Sequence, residues 1–155
     1  MSTYCDEVQE LKAQYPDWRS AVLPALRLAQ EREGYLSPQA LRDCADALGT
    51  TPAFCEAVAS FYDMFHTAPI GRHMVEVCTN VSCALVGAQQ VLERFEQELG
   101  ISAGETTPDG EVTLRPIECL GGCGWATIVS VDHHYRTHVK PDDVPQIVQE
   151  LRNAE

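Results

Sequence analysis

The sequence predicts an α+β protein, with a helical bundle over residues 1–71 followed by an α/β domain with a mixed sheet over residues 72–155. Three observations carry this reading. Helix start and stop signals recur through the first seventy residues. The apolar pattern changes after Pro69-Ile70-Gly71. Beyond that point the elements read in the order β-α-β-β-β-α, which fits a sheet with helices packed on it.

In the bundle, Val8, Leu11 and Tyr15 mark a short amphipathic segment that ends at Pro16. A second helix is predicted over about 20–33, with Val22, Leu23, Leu26 and Ala29 on one face and Gly34 as its stop. Pro24 falls early enough to be tolerated in its first turns. Ser37-Pro38 gives an N-cap followed by proline at the first helical position. That third helix carries Leu41, Cys44, Ala45 and Leu48 and stops at Gly49. Thr51-Pro52 repeats the start signal for a fourth, which is expected to run through Phe54, Val58, Phe61 and Tyr62 to about Phe65. In the second domain, residues 73–78 and 112–117 read as strands. Residues 84–99 read as one long helix with Val86, Val91, Leu92, Phe95 and Leu99 on or near one face. A hairpin is expected from 126–131 and 135–139, joined around Asp132-His133-His134. Pro141 opens a terminal helix carrying Val144, Ile147, Val148 and Leu151.

The charge balance is 11 Lys+Arg against 23 Asp+Glu, a net −12, and it is spread along the chain. A phosphate backbone would be repelled, so nucleic acid is not expected as a partner. The longest mostly apolar stretches, such as 125–131, fall far short of the roughly 18–20 residues needed to span a bilayer, so no direct membrane insertion is expected. The N-terminus shows neither a basic segment nor an apolar core, so no secretory leader is read there and a cytoplasmic, reducing compartment is predicted. In that setting seven cysteines, an odd number, point to metal or redox chemistry rather than to disulfides.

Four of those cysteines fall in two pairs. Cys78 and Cys83 are spaced C-x4-C directly after the first strand of the second domain. Cys119 and Cys123 are spaced C-x3-C directly after the second, within Cys119-Leu120-Gly121-Gly122-Cys123-Gly124. If the two strands run parallel as neighbours, both loops meet at one end of the sheet. Thiolates suit soft metals and iron–sulfur clusters, and glycines let backbone N–H groups approach an inorganic centre closely. Thioredoxin-type redox chemistry and covalent haem attachment both need C-x-x-C, which is absent. A Rieske centre needs two histidines, and none lies beside either pair. A four-cysteine zinc site that only stabilises an interaction module stays open, although such sites more often use C-x-x-C pairs. Spacing and glycine context favour the cluster.

Taken together, Cys78-Thr79-Asn80-Val81-Ser82-Cys83, the turn Gly104-Glu105-Thr106-Thr107-Pro108-Asp109-Gly110, and Glu118-Cys119-Leu120-Gly121-Gly122-Cys123 resemble the thioredoxin-like [2Fe–2S] ferredoxin subunit of NADH–quinone oxidoreductase, the E component of bacterial complex I. Leu23-Pro24-Ala25-Leu26, Gly34-Tyr35-Leu36-Ser37 and Ala59-Ser60-Phe61-Tyr62 resemble its N-terminal half, so the likeness covers nearly the whole chain. The resemblance implies a thioredoxin-like fold and one [2Fe–2S] cluster ligated by Cys78, Cys83, Cys119 and Cys123, one pair to each iron. It implies electron transfer as part of an oxidoreductase, with no catalysis by the isolated chain. FMN and NADH are expected on a partner, the flavin- and NADH-binding F component. The iron–sulfur G component is expected in the same assembly, at the cytoplasmic side of the inner membrane. Equivalent subunits serve NAD-dependent formate dehydrogenases and bidirectional hydrogenases, which stand as the alternative parents. The sequence departs from the family in one place. Where Ala-Pro usually follows the fourth cysteine, this chain has Gly124-Trp125-Ala126-Thr127, which leaves the ligands intact and alters the loop beside them.

The remaining candidates read more plainly. Cys44 and Cys55 are expected as small core residues, and Cys5 as an exposed, incidental thiol. His133 and His134 are expected at a solvent-facing turn. Phe61, Tyr62, Met64 and Phe65 are expected in packing. No phosphate-binding loop or dinucleotide fingerprint occurs, so the chain is not expected to bind a nucleotide. The helical part adds nothing to the ligand set, so residues 1–71 are assigned to docking on the partner and residues 72–155 to the cluster.

Overall fold

The computed structural model describes residues 3–154. The chain divides into two compact units, Met1–Pro69 and Ile70–Glu155. Each has its own apolar core, the first drawn from residues between Val8 and Phe65, the second from residues between Val75 and Leu151.

The first unit contains α1 (Tyr4–Ala13), α2 (Val22–Glu33), α3 (Pro38–Leu48) and α4 (Pro52–Phe61). Local chemistry sets the helix ends. Thr3 caps α1 reciprocally with Asp6, each side chain accepting a backbone N–H of the other. The hydroxyls of Ser37 and Thr51 accept from the N–H groups of Ala40 and Phe54, ahead of prolines at the first helical position. A 3-10 turn, Trp18–Ala21, leads into α2, so Pro24 falls inside the first turn of α2, where no N–H is needed. The predicted faces of α2 and α3 are buried around Leu26, Leu36, Leu41 and Leu48.

The fourth helix differs from expectation. It ends at Phe61, and its buried residues are Cys55 and Ala59. Small side chains one turn apart let α4 approach its neighbours closely, and the aromatics lie to the side. Phe54 stacks edge-on to Trp18 at 5.7 Å, Phe65 is buried, and Phe61 is 79% exposed with Met64 also exposed. Tyr62 is exposed as well, so the expectation of packing holds for Phe65 and is corrected for Phe61, Tyr62 and Met64. Cys44 and Cys55 are fully buried and hydrogen-bonded to one another, which raises the Cys55 thiol and lowers that of Cys44. Burial raises the Tyr4 hydroxyl, which donates to the Ala25 carbonyl at 2.9 Å.

The second unit is built on a four-stranded mixed sheet in the order β2-β1-β3-β4, with β1 (His73–Cys78), β2 (Val112–Ile117), β3 (Val129–Val131) and β4 (His134–Arg136). Its helices are α5 (Val81–Leu85) and α6 (Ala88–Leu99), between β1 and β2, and α7 (Val144–Asn153), after β4. β1 pairs parallel with β2 and antiparallel with β3, and β3 pairs antiparallel with β4. Pro116 is accommodated because β2 is an edge strand. One face of the sheet carries Val75, Val77, Leu114, Val129 and Val131. It is covered by the apolar stripes of α6 and α7, with Phe95 fully buried in that core. The Asp132-His133 turn has positive φ at both residues, 49° and 65°, the two-residue geometry that matches strand twist. Both histidines of the hairpin are exposed. The hairpin strands are shorter than expected, and α7 is preceded by a 3-10 turn, Pro141–Asp143.

The long helix expected over 84–99 is thus two. Gly87 takes φ +103°, a conformation that closes α5 and starts α6 on a new axis. Val86, expected on the core face, is exposed as a result. Among the described residues no helix is long and apolar enough to cross a membrane.

An ion pair between a buried carboxylate and a half-buried guanidinium crosses the β1–β2 junction. Glu76 faces Arg115 in register, at 2.7 Å, and Glu76 is only 7% exposed. Arg115→Met is expected to cost about 3–5 kcal/mol in a denaturant titration, because the carboxylate stays buried without its guanidinium. The double variant with Glu76→Leu should recover most of that loss.

Candidate metal centre

The parallel register fixes where the cysteines emerge. Cys78 is the last residue of β1 and lies opposite Ile117, the last residue of β2, two residues before Cys119. The Thr79 N–H donates to the Ile117 carbonyl at 2.9 Å, and the Cys78 N–H to the Ile128 carbonyl at 3.1 Å. Both cysteine loops therefore leave the same end of the sheet. Cys83 follows on α5. Cys78 and Cys83 are buried together with Ala88 and Ile128, flanked by Ile117, Leu120 and Ala126.

Cys119 and Cys123 are exposed. Gly121 takes φ +74° and donates its N–H to the Cys119 sulfur at 3.3 Å. A Cβ at Gly122 would stand 2.9 Å from the Ile128 side chain, which would have to shift to admit it. A 3-10 turn, Cys123–Trp125, then redirects the chain toward β3. Burial pushes the Cys83 thiol up, opposed by a backbone hydrogen bond from Ile128 and reinforced by Cys78 and Cys123 nearby.

All seven cysteines are free thiols. The two predicted pairs thus share one end of the sheet, one buried and one exposed. Cys44 and Cys55 lie in the core of the first unit, and Cys5 is exposed on α1. Among the described residues no three His, Cys, Asp or Glu side chains form a cage for a single metal ion. Thiols at one end of the sheet, one of them accepting the Gly121 N–H, are the residue type that suits a soft inorganic centre. Loading such a centre requires the thiols to ionise, so binding releases protons.

The structure exposes apolar residues near the cysteines whose exposure the sequence did not show. Val81, Leu85 and Val86, in and beside α5, are exposed, Leu85 at 82%, and Trp125 beside Cys123 is 60% exposed. Of these, Val86 reads in the sequence as part of a core stripe, Trp125 reads only as a departure beside the fourth cysteine, and Val81 and Leu85 carry no assigned role. No periodic signal separates a short exposed helix from the first turn of a longer buried one.

A four-stranded mixed sheet backed by two helices, with a β-α-β unit leading into a hairpin, is a thioredoxin-like fold. The chain belongs to the thioredoxin-like [2Fe–2S] ferredoxin family, whose pattern it matches over residues 8–152. It is 43% identical over 147 residues to the E component of the NADH-quinone oxidoreductase of Mycobacterium tuberculosis H37Rv, covering 95% of this chain and 58% of that protein. It therefore spans little more than half the length of that relative. It is 40% identical over 153 residues to the second E component of the NADH-quinone oxidoreductase of Rhizobium meliloti, covering 99% of this chain and 91% of the relative. In architecture it resembles an NAD+-reducing [NiFe]-hydrogenase chain, with a TM-score of 0.74, 21% identity, and coverage of 84% of this chain and 22% of the other.

Proposed function

We propose that this chain is the electron-transfer subunit of an NADH–quinone oxidoreductase, holding one [2Fe–2S] cluster on Cys78, Cys83, Cys119 and Cys123. The carrying observation is the meeting of two cysteine pairs at the carboxyl ends of two parallel, adjacent strands. When bound, the cluster supplies one-electron redox chemistry. The protein holds and tunes it. Cys78 and Cys83 anchor the buried side, Cys119 and Cys123 close the exposed side, and the Gly121 N–H already reaches a ligand sulfur.

The sequence carries no nucleotide-binding fingerprint, so NADH oxidation is assigned to a flavin-bearing partner, the F component, with the iron–sulfur G component in the same assembly. A hydride delivers two electrons and the cluster takes one, so the partner's FMN must divide the pair. The complex is assigned to the cytoplasmic face of the inner membrane. Names carried by relatives at about 40% identity support this reading.

The test is anaerobic purification followed by metal analysis and electron paramagnetic resonance. The expected result is about two irons and two labile sulfides per chain, with a signal on one-electron reduction. NADH should reduce the isolated chain only when the flavin-bearing partner is added. A colourless protein holding one zinc would overturn the proposal in favour of a zinc-stabilised module.

A further inference from the structure

We propose that the Glu76–Arg115 ion pair tunes the reduction potential of the inorganic centre held by the four cysteines, Arg115 raising it and Glu76 lowering it; this rests on the cluster reading above. Both residues point to the sheet face that carries Cys78. Side chains alternate along a strand, and Val75, Val77 and Leu114 face the helices, so Glu76, Cys78, Arg115 and Ile117 face the other way. Glu76 precedes Cys78 by one pleat repeat, roughly 7 Å along β1. Arg115 stands in the same relation to Ile117, the residue opposite Cys78.

The surroundings let these charges be felt at the cysteine end of the sheet. The other strand residues of that face, aligned through the three strand registers, are Met74, Thr113, Ser130 and Tyr135. None of them is Asp, Glu, Lys, Arg or His. Met74, Thr113 and Ser130 are buried, as is Glu76, so water screens the pair less than it screens charges on the surface. Arg115 Nη2 donates to Glu76 Oε1 at 2.7 Å, which holds the guanidinium in place. One-electron reduction adds a negative charge at the centre. A nearby cation favours that step and a nearby anion opposes it, so the two groups act in opposite directions.

Arg115→Met removes the cation, Arg115→Lys keeps one, and Glu76→Gln removes the anion. Glu76→Leu combined with Arg115→Met removes both. Arg72→Met is the control, since it removes an equal charge at the far end of the sheet, where Arg72 and Glu111 form a half-exposed pair at 3.7 Å. The full chain of each is loaded with iron and sulfide anaerobically, assayed for iron, and titrated for its midpoint potential. All are expected to hold the parent amount of iron. The midpoint is expected to fall in Arg115→Met, to rise in Glu76→Gln, and to return close to the parent in the double variant. Arg115→Lys and Arg72→Met are expected to match the parent. If Arg115→Met does not fold, the rise in Glu76→Gln and its reversal in the double variant give the same reading. Full iron with unchanged midpoints in the single variants, shifts of one sign in both, or an equal fall in Arg115→Lys or Arg72→Met overturns the inference and leaves the cluster standing. Failure of the parent chain to take up any cluster overturns both.

Discussion

Cys119→Ala is expected to lose most of the bound iron while its apoprotein unfolds at the same denaturant concentration as the parent apoprotein. Cys119 is exposed and contributes a ligand but little packing. Cys83→Ala should lose the iron as well, and its apoprotein should also be weaker. Cys83 is 2% exposed and packs with Cys78, Ala88 and Ile128, so truncation opens a void among them. The contrast separates ligation from packing, which a survey of iron content alone would not do. Cys78→Ala should follow Cys83, and Cys123→Ala should follow Cys119. Cys5→Ala should keep full iron, as should substitutions at Cys44 and Cys55 in variants that remain folded. Full iron in Cys119→Ala would reject the ligand set.

A fragment from Ile70 to the C-terminus is expected to fold and to take up the cluster with the spectrum of the full chain. Its core is drawn entirely from its own residues, and all four cysteine ligands lie within it. The start matters. The Gly71 N–H donates to Thr113 Oγ1 at 2.6 Å and the Arg72 N–H to the Gly110 carbonyl at 3.0 Å, so a fragment begun at His73 would lose both ties to β2 and its preceding turn. The same fragment is expected to fail in capturing the flavin-bearing partner, if the helical unit is the docking element. Anaerobic reconstitution and a pull-down against the full chain measure the two halves of the prediction. A well-folded fragment that never binds iron would mean that the helices complete the site. Undiminished capture of the flavin-bearing partner would reject the docking role alone.

Much of the secondary structure was legible because its signals are local. Ser37-Pro38, Thr51-Pro52, Gly34 and Gly49 mark helix ends through hydrogen bonds and backbone angles that involve only a few neighbours. β1 and β2 were placed to the residue, since both carry apolar residues such as Val75 and Val77 or Val112 and Leu114 at alternate positions between turns. The end of α4 was less legible, because the aromatic run from Phe61 to Phe65 has the hydrophobicity of a core. Burial there went instead to the small residues Cys55 and Ala59, which only the close approach of neighbouring helices selects. The break at Gly87 was hidden for a similar reason. A lone glycine in an apolar pattern does not declare whether its φ is negative or positive.

Four things could be read along the chain alone: the helical bundle, the order of strands and helices in the second unit, the acidic charge, and the four cysteines worth singling out. These depend on periodicity, capping chemistry and residue type, which are properties of the chain taken a few residues at a time. Folding was needed to make β1 and β2 adjacent and parallel in the register Cys78–Ile117, which brings cysteines some forty positions apart to one end of a sheet. Folding also buries one pair and exposes the other, turns Leu85 and Trp125 to solvent, and leaves Thr127 with a buried hydroxyl that has no partner among the described residues. Burial and pairing are relations between distant segments, set by which faces cover one another, and no local pattern encodes them.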